Sequence, residues 1–317
     1  MTVRTRWGLV FGFCIGAGVA VQGRINGALG ARLQDGIAAA TVSFGTGLLI
    51  LVIAFAMSAR LRAGFGAARA ALAEGTLRPW HLLGGLCGAF FVAGQGLTIA
   101  AIGVTVFTVA AVAGQLLSSL AVDRLGLAPG GATPVTASRA LAAVLAIGAV
   151  VLTSGRGGEQ PGALALPELF GATPHFLLVA LPALAGIGLA WQQAVNGRVG
   201  AAGGPFSAAL VNFTVGLIAL VLIESALLAY TGGLPAFPTE PWLYLGGLIG
   251  VAFIALAALT VRWIGVLLLG LTSVAGQLAT ALTLDLLTPD TPAPSALSVL
   301  GCLLTLAAVT LAARHRT

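Results

Sequence analysis

Ten mostly apolar stretches follow one another along this chain, broken at Arg, Pro, Gly and Asp: 7–29, 36–58, 80–101, 104–122, 136–154, 175–198, 206–229, 241–261, 264–287 and 294–313. Each is about 20 residues long, the length a helix needs to cross the hydrocarbon of a bilayer. A spanning segment must satisfy its own backbone polar groups, which leaves helices as the solution for runs of this length. Composition agrees. Hydrophobic residues make up 58% of the chain and charged residues 8%, against about 25% charged in soluble domains. Such a chain cannot cover its own surface in water, which excludes a soluble globular enzyme, a disordered protein and a disulfide scaffold. Two boundaries are short, Ala101 to Gly103 and Arg262 to Ile264. A single helix through either would exceed the bilayer even if tilted, so a tight hairpin is expected at each.

The basic residues set an orientation. All 15 are Arg, and the formal charge is +6. With the N-terminus in the cytoplasm, Arg4, Arg6, Arg60, Arg62, Arg69, Arg78, Arg124, Arg139, Arg198, Arg262, Arg314 and Arg316 fall inside. Arg24, Arg32 and Arg156 fall outside. That is the positive-inside bias, with both termini cytoplasmic. The Arg residues are scattered between apolar runs and form no solvated stripe, which argues against nucleic acid as a partner. Cys14, Cys87 and Cys302 lie inside apolar runs without metal-ligand spacing and read as small apolar residues. Residues 1–30 resemble a signal peptide but lack a clear small-residue cleavage site, and read as a retained first span.

The chain repeats itself. At an offset of 170, Gln22, Asn26, Gly27 and Gly30 meet Gln192, Asn196, Gly197 and Gly200. At 169, Phe44 and Gly47 meet Phe213 and Gly216. At 162, Pro79, Trp80, Gly84, Gly85 and Gly88 meet Pro241, Trp242, Gly246, Gly247 and Gly250, and Gly114, Gln115 and Asp123 meet Gly276, Gln277 and Asp285. The expected organisation is a five-helix repeat over 1–155, an outer Gly- and Pro-rich linker over 156–174, and a second five-helix repeat over 175–317. Five is odd, so the second copy enters the membrane from the opposite side. The fold class expected is an all-α membrane protein of ten transmembrane helices as two inverted five-helix repeats, N-in and C-in. Inverted repeats are the architecture of many secondary transporters, with a site near the midplane.

Polar side chains inside the spans are the candidate machinery, because each costs about 1–3 kcal/mol in hydrocarbon unless satisfied. Gln115 and Gln277 sit near mid-bilayer, each after a Gly. They head matched stripes, Gln115, Ser119 and Asp123 on one helix and Ser273, Gln277 and Asp285 on the other. They read either as opposite walls of a substrate pathway or as partners in an interhelical hydrogen bond. The pairs Gln22 and Asn26, and Gln192 and Asn196, are spaced i, i+4 on one helical face. They read as gates at the two mouths or as helix-terminal hydrogen bonds. Arg24 either snorkels to the outer surface or attracts an anionic group. Gln95 adds to the wall of the third span without a repeat counterpart, since Ala257 stands there. Asp123, Asp285 and Glu224 are the carboxylates available for coupling, with a paired interfacial role the alternative for Glu224. Gly12–Gly16, Gly84–Gly88 and Gly246–Gly250 permit close helix approach. No nucleophile–base arrangement, phosphate loop, metal set or cofactor motif is present, so an enzyme is not expected and no cofactor is called for.

QGRINGALG at 22–30 and AAATVSFGTG at 38–47, answered by QQAVNGRVG at 192–200 and AALVNFTVG at 208–216, resemble the opening motif of the YdcZ-like inner-membrane exporters. That family belongs to the drug/metabolite transporter superfamily. Many relatives carry one five-span half per chain, and this sequence resembles a fusion of two. The resemblance implies a multi-pass protein of the bacterial inner membrane with a central cavity lined mainly by spans 1, 3, 4, 6, 8 and 9. It implies that Gln22, Asn26, Gln95, Gln115, Gln192, Asn196 and Gln277 face that cavity, and that a small organic solute moves outward. Small multidrug exporters of the superfamily carry an acid in helix 1, and helix 1 here has none. The expected function is a secondary active transporter working by alternating access, as a monomer or homodimer, with a small-molecule substrate and a coupling proton as candidate partners. A cation or multidrug exporter of the same superfamily is one alternative. A non-transporting membrane scaffold or lipid-handling protein is the alternative from another class.

Overall fold

The computed structural model describes residues 3–127, 131–132, 134–154, 175–231, 233, 236–287 and 294–313. The linker expected over 156–174 lies outside the described residues. Among those described, regular structure is helical throughout. The α-helices are α1 (Val3–Leu33), α2 (Gly36–Met57), α3 (Ala59–Ala73), α4 (Gly84–Arg124), α5 (Ala137–Ser154), α6 (His175–Gly203), α7 (Pro205–Thr231), α8 (Gly246–Leu287) and α9 (Ala296–Ala313). Short 3-10 turns, Pro79–Leu83 and Pro241–Tyr244, precede α4 and α8 at matched Pro-Trp sequences. Among the described residues, six helical segments are long and apolar enough to cross a membrane, and 140–153 and 296–311 are shorter apolar helices. The protein is therefore a multi-pass helical membrane protein.

Two helices need explaining, because α4 has 41 residues and α8 has 42. Straight, each would be about 60 Å long, twice the hydrocarbon thickness. In α4 the helix breaks at Gly103, whose φ of 79° and ψ of 163° suit glycine alone. The chain folds back there. Phe91 and Phe107 would be about 24 Å apart on a straight helix, yet their ring centroids lie 5.4 Å apart. In α8 the reversal shows in its contacts with α1. Gly246 packs on Asn26, and Ser273 packs on Gly16. The span from 246 to 273 would be about 40 Å of straight helix, whereas 16 to 26 is about 15 Å. Both expected hairpins are therefore present inside what the hydrogen-bond pattern joins as single helices.

Local signals set the other ends. The carboxylate of Asp35 accepts from the Ile37 and Ala38 amides at 2.9 Å and starts α2. Ser58 ends α2 and starts α3, its hydroxyl accepting from the Leu61 amide. Arg62 donates to the Phe55 and Ala56 carbonyls, satisfying the C-terminus of α2. Helix α3 is an addition to the expected ten. It lies on the C-terminal turn of α6, where Gly64 and Gly203 meet backbone to backbone. Its Arg60, Arg62 and Arg69 are exposed, while Ala68 is buried.

One end of the bundle, the upper end, holds the α1–α2 turn, Gly103 and Asp285. There Gly30 and Gly36 pack on Gly96, and Arg32 pairs with Glu240 at 3.2 Å. The lower end holds α3 and the segment after α4, whose Gly126 and Leu127 carbonyls accept from Arg198 on α6. At the centre, α2 and α7 cross. Phe44 and Phe213 stack with centroids 5.0 Å apart. Gly47 packs on the Phe213 ring and Gly216 on the Phe44 ring. As positions advance along α2 they retreat along α7, so the two helices run antiparallel. The largest buried cluster surrounds this crossing and includes Ala40, Leu51, Phe107 and Leu220.

Candidate functional site

The contacts between the two parts of the chain come in reciprocal pairs. Gly16 on α1 meets the Ser273 carbonyl, and Gly276 meets the Phe13 carbonyl. Gly186 on α6 meets the Ala111 carbonyl, and Gly114 meets the Ala183 carbonyl. Backbone thus touches backbone where α1 crosses the second half of α8, and again where α6 crosses the second half of α4. Only glycine permits that approach. The residues that follow these contacts are Gln277 and Gln115. Both side chains are half-buried. They form no hydrogen bond with each other.

The second set of pairs holds the amides. At the upper end Gln22 Nε2 donates to the Gly246 carbonyl at 2.9 Å. Asn26 Nδ2 donates to Gln95 Oε1 at 2.8 Å. Gly246 and Gly250 receive these two side chains: a Cβ on Gly250 would lie 2.9 Å from Gln22 Nε2, and one on Gly246 would strike Asn26 Oδ1. At the lower end Gly84 and Gly88 do the same for α6, with a Cβ coming within 2.6 Å of Asn196 Oδ1 and 2.8 Å of Gln192 Nε2. There Gln192 Nε2 and Asn196 Nδ2 both donate to Asn212 Oδ1, at 2.9 and 3.0 Å. At each end of the bundle two amides of one helix thus seat on two glycines of another. We call these the upper and lower clasps.

The clasps are not equal. Gln22 and Asn26 are 5% and 0% exposed, whereas Gln192 and Asn196 are half-buried. Each clasp recruits one extra amide, and from different places. Gln95 on α4 serves the upper clasp, and Asn212 on α7 serves the lower. Asn212, whose repeat partner is Ser43, is not among the residues the sequence points to. Its signal was present: an amide inside an otherwise apolar span, within VNFTVG. Asn26 Oδ1 and Gln192 Oε1 are buried without a partner. An unsatisfied buried acceptor costs about 1–3 kcal/mol, so each is a polar point left open inside the bundle.

The remaining candidates separate. Arg24 is half-buried and lies off the Gln22–Asn26 face, between buried Gly23 and Ile25. Asp285 is engaged by backbone: its Oδ1 accepts from Val104 at 2.9 Å and its Oδ2 from Thr105 at 2.7 Å. It caps the helix that restarts after Gly103, pinning the upper hairpin of α4 to the end of α8. Asp123 is half-buried near the lower end of α4. Glu224 on α7 is 7% exposed, and neither of its carboxylate oxygens has a partner. Asp35, 3% exposed, stands at the α1–α2 turn at the same end of the bundle. Burial pushes the Asp35 carboxyl up, while its two amide hydrogen bonds pull the other way. The structure therefore brings Gln22, Asn26 and Gln95 together, and Gln192, Asn196 and Asn212 together. It keeps Arg24, Asp285 and Glu224 apart from both groups.

Comparison with known proteins fits this division. No curated protein matches the chain. A solved structure described only as "Crystal structure of protein" superposes with a TM-score of 0.52 at 20% identity, covering 98% of this chain and 96% of that one. It shares the fold. The family profile described as "Putative inner membrane exporter, YdcZ" matches residues 7–152 and 177–311, two stretches that together take in both amide clasps and the α2–α7 crossing. The chain belongs to the YdcZ family of inner-membrane exporters and is a transporter of the drug/metabolite type.

Proposed function

We propose that this protein is a secondary active transporter that exports a small organic solute by alternating access. In this reading ten spans form two inverted five-helix repeats with both termini in the cytoplasm. The upper end is then the outer face. The observation that carries the proposal is the pair of reciprocal clasps. Two equivalent closures at opposite faces, each made of a few modest hydrogen bonds, are what a two-gate machine needs. Opening one while keeping the other exposes the interior to one side at a time. In this reading the antiparallel α2–α7 crossing, where Phe44 stacks on Phe213, serves as the pivot.

Gln115 and Gln277 are the proposed substrate contacts. They lie between the clasps beside the glycine crossings and have amide groups free to donate and accept. Uncharged or zwitterionic polar solutes suit such groups, and the unpartnered oxygens of Asn26 and Gln192 offer further acceptors. A cationic substrate is less well served, because Asp285 already spends both oxygens on backbone amides. The test is uptake into proteoliposomes from a panel of neutral, zwitterionic, anionic and cationic solutes. Replacing Gln115 and Gln277 together by Ala is expected to raise the half-saturating concentration at least tenfold for the transported solute. Unchanged transport in that variant would remove them from the site.

A further inference from the structure

A carboxyl group buried in a membrane protein normally finds a cation, a metal or several N–H donors. Asp285 follows that rule, held by the amides of Val104 and Thr105. Glu224 does not. It sits two turns below the upper end of α7, where Val221, Leu222, Ile223 and Ser225 around it are exposed and it alone points inward. Both of its oxygens are buried without a hydrogen bond. A second buried carboxyl, Asp35, stands at the start of the antiparallel α2, and the register that sets Gly216 on Phe44 and Gly47 on Phe213 brings it level with Glu224 along the seam. The segments packed on this part of α7 add no compensating cation. The upper half of α4 carries no charged residue, the upper end of α8 adds only Asp285, whose oxygens are held by the Val104 and Thr105 amides, α7 itself adds Tyr230, and Arg32 is engaged with Glu240. Two buried carboxyls level on one seam without a counter-ion each disfavour the ionisation of the other.

We propose that Glu224 and Asp35 form a proton-binding site at the outer end of the α2–α7 seam, and that its proton is the coupling ion of the transport cycle. With the seam closed, the Glu224 carboxyl keeps its proton as the neutral acid. When the seam opens to outer water, the O–H bond breaks, the proton leaves to solvent and the carboxylate is hydrated. Closure requires a proton to be taken back, so each cycle of the outer face is tied to one protonation. The site is separate from both amide clasps. Only its coupling role rests on the transporter reading above.

Infrared difference spectroscopy of the purified protein in lipid nanodiscs, titrated in pH without substrate, tests the site itself. The wild type should show a protonated-carboxyl stretch that is lost on alkalinisation. Glu224→Gln, which keeps size and neutrality, should lack it. Asp35→Asn, which keeps a capping oxygen for α2, should lose the band at lower pH, because the repelling charge is gone. A band unchanged in Glu224→Gln overturns the site. In proteoliposomes, Glu224→Gln should still exchange solute but with flux independent of a pH gradient, where the wild type changes several-fold. A variant that keeps the wild-type pH dependence overturns the coupling role. Wild-type protein that moves no solute in any gradient would instead sink the transporter reading, with the infrared titration still deciding the site.

Discussion

Replacing Asn212 by Ala removes one oxygen that two amides share. Gln192 and Asn196 donate to it at 2.9 and 3.0 Å from adjacent turns of α6. A net hydrogen bond is worth about 0.5–1.5 kcal/mol. Both donors are half-buried, so water can recover part of the loss once the seam parts. The variant should therefore weaken the closed lower clasp by about 1–2 kcal/mol, a factor of roughly 5–30 in the balance between closed and open forms. The chain carries its own reporter. Cys87 precedes Gly88, the glycine that seats Gln192, and a Cβ on Gly188 of α6 would lie 3.1 Å from its Sγ. With Cys14 and Cys302 replaced by Ser and Ala, labelling of Cys87 by a water-soluble maleimide reads the opening of the α4–α6 seam directly. Asn212→Ala should speed labelling about 5–30-fold. Ser43→Ala, the repeat-related change at the other face, should leave the rate as it is. A labelling rate unchanged in a stably folded Asn212→Ala protein would show that the shared amide does not hold this face shut, and the two-clasp argument would fall with it.

Two further predictions concern the upper end. Asp285→Ala leaves the Val104 and Thr105 amides without their acceptor and should destabilise the chain by about 1–2 kcal/mol, with Asp285→Asn losing less; equal thermal unfolding of the two variants would contradict a capping role. Burial raises the Asp35 carboxyl above its ordinary value of 3.8, so the folded chain binds that proton more tightly than the unfolded chain. That contribution is fully present below 3.8 and is lost as pH rises through the folded value. The wild type should therefore lose thermal stability relative to Asp35→Asn on alkalinisation over this range, and a constant difference between them would argue against it.

The membrane segments were legible because hydrocarbon is an unforgiving solvent: a run broken at Arg, Pro or Gly has few other places to go. Even the break at Gly103 could be placed, since a 41-residue helix cannot fit the bilayer once. Helix α3 was not legible. Its Arg60, Arg62 and Arg69 mark a cytoplasmic segment between spans, and its helicity depends on Ser58 and on packing against Gly203. The repeat pointed to the right amides but not to their partners. Gln22, Asn26, Gln192 and Asn196 stand out by type and spacing. That they seat on Gly246, Gly250, Gly88 and Gly84 depends on which helices cross, which spacing alone does not encode. Residues without a repeat counterpart are hardest: Gln95 faces Ala257 in the repeat and Asn212 faces Ser43, so symmetry supports neither.

In the proposed two-gate reading, the unequal recruitment of Gln95 and Asn212 has an evolutionary meaning. If a single half-length gene made both sides of such a bundle by pairing with a copy of itself, every substitution would land on both faces at once. Its two doors would be condemned to the same strength, and neither resting direction could be preferred. Joining the halves in one reading frame lifts that constraint. The polypeptide can then stiffen one door with a glutamine from α4 and fasten the other with an asparagine from α7, so that the direction in which it idles becomes a heritable setting.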